Sequence, residues 1–295
     1  MPASIRTSII HWYRRTARAF PWRGDHVDPY MVLVSEFMLQ QTQASRVAEK
    51  MPIFLDRFPS IRGLAVADNA AIIRAWQGMG YNSRALRLRD AARAIVERHD
   101  GVVPHDVDTL RTLPGIGPYA SSAIACFAYG VRTVVLDVNI RRVYSRTAER
   151  QTTTIDVLPD ARLRDIAEAF IPHDDPAEWH HAVMDLGATI CTARSPQCTA
   201  CPLTSICPSS NTMAEGVRAK KKEPSFRGLP NRIWRGRVVE TLRSPVHADG
   251  MGMRTLFTRI TTTPPSDDDM QWFGTIIDAL RKDGMIVVEG DNLRL

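Results

Sequence analysis

Apolar residues recur along this chain at spacings of three and four rather than in alternation, as far as about residue 208. Residues 31–48 place Val34, Phe37, Met38 and Val47 on or near one face, which predicts one continuous helix there. Asp28, Pro29 and Tyr30 supply its start, because Asp can cap free N–H groups and proline suits a first turn. The pattern returns over residues 84–99 with Leu88, Ala91, Ala92, Ile95 and Val96. Residues 107–112 make a shorter helical stretch, and residues 119–129 an Ala-rich one with Pro118 before it and Gly130 as its stop. Strand periodicity and internal repeats are absent here, so the expected class is all-α through about residue 208.

The texture then changes. Residues 209–232 are rich in Ser, Lys, Gly and Pro, include Lys220, Lys221 and Lys222, and read as a solvated linker. Residues 233–242 and 271–282 are helical in pattern, and residues 284–295 alternate like a terminal hairpin turning at Gly290, Asp291 and Asn292. Helices followed by a hairpin predict a small winged-helix-like module over residues 233–295.

Composition narrows the function classes. Of 295 residues, 44% are hydrophobic and 24% charged, as in ordinary globular proteins. No apolar run reaches the roughly 18 residues of a membrane span. The first dozen residues show no secretory pattern, so membrane and secreted readings give way to a cytoplasmic one. The net charge of +6 suits a polyanion such as nucleic acid, whose phosphates reward Lys and Arg through counterion release. Only five of the 38 basic residues are lysine, and none lies between residues 51 and 219, so that region offers no amine nucleophile.

Of the five cysteines, Cys126 lies in the apolar run 123–128 and reads as a buried small hydrophobe. Cys191, Cys198, Cys201 and Cys207 follow the spacing C-x6-C-x2-C-x5-C. Disulfides are not expected in a chain of this size without a secretion signal, and four thiolates so close point to a metal. Zinc sites usually pair two C-x2-C-like knuckles across a longer gap. One compact loop with a single x2 step, and with Pro196 and Pro202 beside the cysteines, fits a [4Fe–4S] cluster better, zinc being the alternative. Four protein thiolates leave no iron open to substrate, so such a centre is structural or electron-carrying.

Three further features carry candidate chemistry. Leu113-Pro-Gly-Ile-Gly117 joins two helical stretches, and Gly115 and Gly117 allow a tight turn with positive φ and a close backbone approach. The turn opens onto a helix N-terminus, where free N–H groups favour an anion. That describes a helix–hairpin–helix phosphate clamp, with a plain turn between helices as the alternative. Asp137 follows Val134, Val135 and Leu136 and precedes a helical stretch, the ordinary setting of an N-cap. Glu36 sits among Val32, Leu33, Val34, Phe37, Met38 and Leu39. Facing an apolar cleft, its carboxyl would keep a proton near neutral pH; an exposed helical position is the alternative.

Taken in order, Ser35-Glu-Phe-Met-Leu-Gln-Gln-Thr-Gln43, Gly78-Met-Gly-Tyr81, Leu113-Pro-Gly-Ile-Gly117, Leu136-Asp-Val-Asn139, Met184-Asp-Leu-Gly-Ala188 and the four-cysteine loop resemble the adenine DNA glycosylases of the MutY type. These belong to the helix–hairpin–helix superfamily that also contains endonuclease III. The resemblance spans about residues 8–208. It implies an all-α, two-lobed glycosylase core over residues 1–208, with a hairpin lobe of about 29–135 and a cluster lobe of about 1–28 plus 136–208. The active site would lie in the cleft between lobes.

The implied reaction hydrolyses the N-glycosidic bond of adenine opposite 8-oxoguanine or guanine in double-stranded DNA, after the base is flipped from the stack. Glu36 would protonate the adenine ring and Asp137 would stabilise the oxocarbenium-like sugar, with Tyr119 and Asn139 supporting that site. Gln41, Thr42 and Tyr81 resemble residues that wedge into the duplex and contact the opposing base, although surface packing is the plain reading of Tyr81. Leu113, Gly115 and Gly117 would meet the DNA backbone, Arg23 and His181 are base-pocket candidates, and Cys191, Cys198, Cys201 and Cys207 would hold a [4Fe–4S] cluster. Strand-cleaving relatives carry a lysine where Tyr119 stands and act through a Schiff base, so a monofunctional enzyme is implied. It would work as a monomer at the bacterial nucleoid, without membrane association.

Some positions depart from the family. Many members carry a larger, Nudix-related C-terminal domain that helps recognise 8-oxoguanine, and residues 233–295 do not match it. His181 stands where relatives often have Glu or Gln, and Asn82 replaces a second Tyr. A thymine or uracil glycosylase acting opposite guanine is the nearest alternative, against which Glu36 followed by Gln40, Gln41 and Thr42 argues. A noncatalytic, cluster-bearing DNA-scanning protein is the other, and it would need neither Glu36 nor Asp137.

Overall fold

Short polar side chains start many of the helices. In the computed structural model, which describes residues 2–24, 27–216 and 224–295, Ser60, Asp68, Asp106, Asp137 and Asp175 each accept a hydrogen bond from a first-turn N–H of the helix that follows. Lys220, Lys221 and Lys222 of the expected linker lie outside the described residues. In order, the helices are α1 (Pro2–Thr16), α2 (Pro29–Leu39), α3 (Ala44–Arg57), α4 (Ile61–Val66), α5 (Asn69–Ala75), α6 (Ser83–His99) and α7 (Val107–Arg111). There follow α8 (Pro118–Tyr129), α9 (Val138–Ala148), α10 (Asp160–Phe170), α11 (Pro176–Thr189), α12 (Asn231–Arg243), α13 (Met253–Thr261) and α14 (Asp267–Lys282). A two-stranded ribbon pairs β1 (Ser225–Phe226) with β2 (Leu229–Pro230). The antiparallel sheet of β3 (Met251–Gly252), β4 (Val287–Glu289) and β5 (Asn292–Arg294) has the order β3-β5-β4, with Val288 opposite Leu293.

The chain divides into two compact units. The first comprises Met1–Val32, Pro104–Thr112 and Ile116–Lys220. Ile5 and Ile9 of α1 meet Tyr144, Phe170 and Trp179 in its core. Those three aromatic rings stack in series at 5.7 and 6.2 Å, and Trp179 Nε1 donates to Tyr144 Oη at 2.9 Å, so the buried indole N–H is satisfied. Truncating a ring so enclosed costs about 3–5 kcal/mol. Residues 209–216, inside the expected linker, fasten to this unit: Ser209 Oγ donates to Glu149 O, and Gly216 N donates to Thr154 Oγ1.

The second unit comprises Leu33–Val103, Leu113–Gly115 and Lys221–Leu295. Phe54 of α3 meets Trp76 edge-on at 5.6 Å. The C-terminal helices join the same unit: Val238, Leu242, Phe257, Phe273 and Ile277 share one apolar cluster with Ile73 of α5 and Leu86 of α6. Arg243 Nε donates to Ile73 O at 3.1 Å, and Asn69 Nδ2 to Gly284 O at 2.6 Å. From α12 to β5 the order is helix, strand, helix, helix, strand, strand, that of a winged helix. The two-residue β3 is too short to leave an alternation in the sequence.

The continuous helix expected over residues 31–48 is broken. α2 ends at Leu39, Gln41 takes φ +58°, and α3 begins at Ala44. Buried Arg84 of α6 supplies the reason, because its guanidinium takes the carbonyls of Phe37, Met38 and Gln40 out of helical pairing. Among the described residues, no helix is long and apolar enough to cross a membrane.

Candidate active site and cysteine loop

In the first unit, buried Val135 and Leu136 lead into α9, and Asp137 sits at its N-cap. One carboxylate oxygen accepts from Ile140 N at 2.6 Å; the other accepts from Asn139 Nδ2 at 2.8 Å. Burial pushes this carboxyl above the usual carboxylate range, and the Ile140 and Asn139 donors and the Arg142 charge pull partly back. Asn139 is itself held, since its Oδ1 accepts from Arg142 Nη2 at 2.7 Å. Arg142 also donates to Gly187 O at 2.6 Å and to Cys191 O at 2.7 Å. Gly187 lets α11 come this close: a Cβ there would stand 2.7 Å from Asn139 Cβ and 3.1 Å from its backbone.

Nearby chain segments of the same unit carry the base-pocket candidates. Arg23 grips both oxygens of Asp185 at 3.0 and 3.1 Å, and Arg18 adds a 2.9 Å bond through Nε. Burial would raise the Asp185 carboxyl, but the bonds from Arg23 and Arg18 outweigh it and hold it below the usual range. His181 stacks on Phe127 with centroids 4.4 Å apart and planes 17° from parallel. Burial first, then the Arg23 and His180 charges, keep its imidazole well below the ordinary histidine range, so it is neutral at pH 7. His180 is fully buried, pushed down to about 3, and accepts from Val135 N at 3.1 Å, a packing role on the segment that leads to Asp137. Tyr119, in the first turn of α8, packs against the cluster of Ala123, Cys126 and Val135.

Leu113 is buried and Gly115 takes φ +75°, where a Cβ would meet Arg87 Cβ at 2.9 Å and the Phe37 ring at 3.0 Å. Gly117 departs from expectation. Its φ is −93°, as the N-cap of α8, so positive φ belongs to Gly115 alone in this turn. No neighbour lies within 4 Å of a Cβ at Gly117, and the helix start is left open to approach.

In the second unit, Glu36 is only 4% exposed on α2, which excludes the exposed-helix alternative. Gln41 and Tyr81 both take positive φ, and Tyr81 is 49% exposed, with the Arg84 guanidinium 5.8 Å from its ring centroid. One cation holds both turns. While Arg84 Nη1 engages the end of α2, Nη2 donates to Thr42 Oγ1, Met79 O and Gly80 O, each at 3.0 Å. Burial lowers its pKa to about 10, still charged at neutral pH.

Cys191, Cys198, Cys201 and Cys207 line one cavity with Val143, Leu186 and Leu203 as apolar walls. Arg146, 1% exposed, donates from Nη1 to Cys191 Sγ at 3.3 Å and to Thr192 O at 2.8 Å. Burial, with the neighbouring sulfurs adding, pushes Cys201 up to about 11 and raises Cys207. Four sulfurs around a shared apolar space, with one cationic N–H aimed at a sulfur, suit an iron–sulfur cluster, whose positive irons bind the thiolate forms. Sequence reasoning did not single out Arg84, Arg142, Arg146 or Asp185. Arg142 had a local signal, three residues after Asn139 on one helix face; the others are partnered only in three dimensions.

Residues 34–157 match the HhH-GPD superfamily base excision DNA repair proteins, and residues 191–207 match the iron-sulfur binding domain of endonuclease III. The chain is 40% identical to the adenine DNA glycosylase of Mycobacterium tuberculosis over 241 residues, 81% of this chain and 78% of that protein. Among solved structures, a thermostable thymine-DNA glycosylase aligns with TM-score 0.64 at 26% identity, over 70% of this chain and 94% of that one. Endonuclease III in a non-covalent DNA complex aligns with TM-score 0.60 at 20% identity, over 71% and 96%, a likeness of fold.

Proposed function

We propose, for a chain that belongs to the adenine DNA glycosylases of the HhH-GPD superfamily, that it removes adenine mispaired with 8-oxoguanine or guanine from duplex DNA and leaves the strand intact. The observation that carries the reading is Asp137, whose two oxygens are fixed by Ile140 N and Asn139 Nδ2 in the Leu136-Asp-Val-Asn139 stretch that resembles that family. Glu36 donates a proton to a ring nitrogen of the flipped adenine. The electron pair of the glycosidic bond leaves with the neutralised base, and positive charge builds on the sugar. Asp137, ionised, stabilises that charge, and water adds to C1′ and gives a proton back to the Glu36 carboxylate, leaving an abasic site. Asn139 and Tyr119 position Asp137 and the sugar, while Arg23 and neutral His181 contact the base. Tyr119 has no amine, so no Schiff base forms there and strand scission is not part of the reaction.

Gln41, Thr42 and Tyr81 enter the duplex, filling the space the adenine vacates, and Leu113, Gly115 and Gly117 carry the adjoining backbone on the α8 N-terminus. The cofactor is a [4Fe–4S] cluster, matched by the cysteine segment, and Cys191, Cys198, Cys201 and Cys207 hold it. When bound it supplies a rigid, fully cysteine-ligated crosslink for the loop. The enzyme acts as a monomer in the bacterial cytoplasm. The test is single-turnover base release from duplexes with A opposite 8-oxoguanine, A opposite G and T opposite G. The third duplex addresses the thymine reading, which the 26% identity to a thymine-DNA glycosylase favours; the 40% identity to an adenine enzyme outweighs it.

A further inference from the structure

We propose that α12 of the C-terminal module and the turn around Tyr81 form two walls of a groove that grips the phosphodiester backbone of DNA. The proposal rests on the adenine-glycosylase reading and extends it to a module for which that reading has no use. Gly80, Tyr81 and Asn82 line one wall; Arg232, Gly236 and Arg237 line the other.

Three observations carry it. First, the groove is built to stay open. Arg243 of α12 donates to Asn82 Oδ1 at 3.3 Å and to Ile73 O, and Gln77 Nε2 donates to Glu240 Oε1 at 2.6 Å, so the two walls are bonded at their base. Second, two acidic groups beside α12 are engaged. Asp283 pairs with Arg235 and Glu240 with Arg243, while the guanidinium of exposed Arg237 lies over the Trp234 ring at 5.2 Å. Third, Gly236 stands in the interior of α12, where glycine weakens a helix relative to alanine. Among the described residues nothing requires it: no neighbour lies within 4 Å of a Cβ there, and its φ is not in the left-handed region. A missing side chain between two arginines on an open wall is what close approach of a sugar–phosphate chain would use. Because the opposite wall ends in exposed Tyr81, a strand in the groove runs on into the duplex at the residue that enters it.

The test uses the full-length, cluster-containing protein and a fluorescent duplex whose adenine analogue resists excision, placed opposite 8-oxoguanine. Binding is measured over a range of salt concentrations, beside single-turnover release from the cleavable duplex at saturating enzyme. Arg237→Gln should lower the slope of log affinity against log salt by about one, and Arg232→Gln with Arg237→Gln should lower it further. Affinity for the double variant should fall on the order of tenfold near physiological salt, with the saturating release rate unchanged. Gly236→Ala should raise Tm through helix propensity and yet weaken binding, a pairing that a merely structural glycine would not produce. Unchanged affinity and salt slope in all three variants would overturn the groove, even if an acidic protein binds there instead. Failure of the wild type to bind the duplex or to release adenine would remove the underlying reading, which the wild-type control reports separately.

Discussion

Asn139 holds Asp137 and is held by Arg142: its Nδ2 donates to Asp137 Oδ2 at 2.8 Å while its Oδ1 accepts from Arg142 Nη2 at 2.7 Å. The amide is therefore fixed in one orientation, and Arg142 is in turn bonded to Gly187 O and Cys191 O. In the proposed reaction a carboxylate so held would keep its aim without reorganisation, which is how preorganised groups contribute to catalysis. Asn139→Ala should slow single-turnover adenine release by about 10- to 100-fold, the worth of one hydrogen bond to a charged group. Tm should change little, because Asp137 remains the N-cap. An unaltered rate would remove Asn139 from the site.

Gly187→Ala tests the closeness of α11 and α9. Its Cβ would meet Asn139 Cβ and backbone, atoms with no freedom to move aside. We expect a loss of about 1–3 kcal/mol in unfolding free energy. We also expect a fall in the release rate measured well below the new Tm, as Asn139 shifts. Denaturant unfolding and single-turnover kinetics on the same preparation separate the two effects.

Asp137 links pH to rate and stability with opposite preferences. Burial places its folded pKa above the ordinary value. The stability it contributes is therefore fullest below the unfolded pKa and is lost as pH rises through the folded pKa. The ionised form that the proposed reaction needs is the one the fold disfavours. Release should decline on the acid side at a pH above the usual aspartate range. Asp137→Asn, which can still cap α9, should abolish that limb and cut the rate by about 10²–10³-fold. Its Tm at neutral pH should be held or raised. A large drop in Tm would mean that Asp137 is a structural cap only.

Arg84→Met removes the cation that satisfies carbonyls from both the Gln41 and the Tyr81 turns. Orphaned buried acceptors should cost about 3 kcal/mol or more in total. Thermal unfolding would read that loss. Duplex affinity, assayed at a temperature where the variant is folded, should fall as well, because Gln41 and Tyr81 lose their positive-φ conformations.

What was legible in the sequence was mostly local. The cysteine loop is readable because its donors fall within one short segment, and Asp137 because an N-cap is defined by the residues beside it. The break at Gln41 was not, since Gln40, Gln41, Thr42 and Gln43 include no glycine or proline to mark a stop, and the group that ends α2 is Arg84, more than forty residues on. Gly117 looked like its neighbour Gly115, and only backbone geometry separates a helix cap from a positive-φ turn. The C-terminal hairpin was legible from alternation. Its attachment to α5 and α6 was not, because Arg243 and Val238 read alike whether a module packs on its neighbour or stands alone.

The most direct measurement of the central claim is single-turnover base release by wild type, Glu36→Gln and Asp137→Asn on duplexes carrying A opposite 8-oxoguanine, A opposite G and T opposite G, with and without alkali. The account predicts loss of adenine from the first two duplexes, strand breaks only after alkali, and near-complete loss of activity in both variants. Release of thymine alone, or adenine release that survives both substitutions, would contradict it.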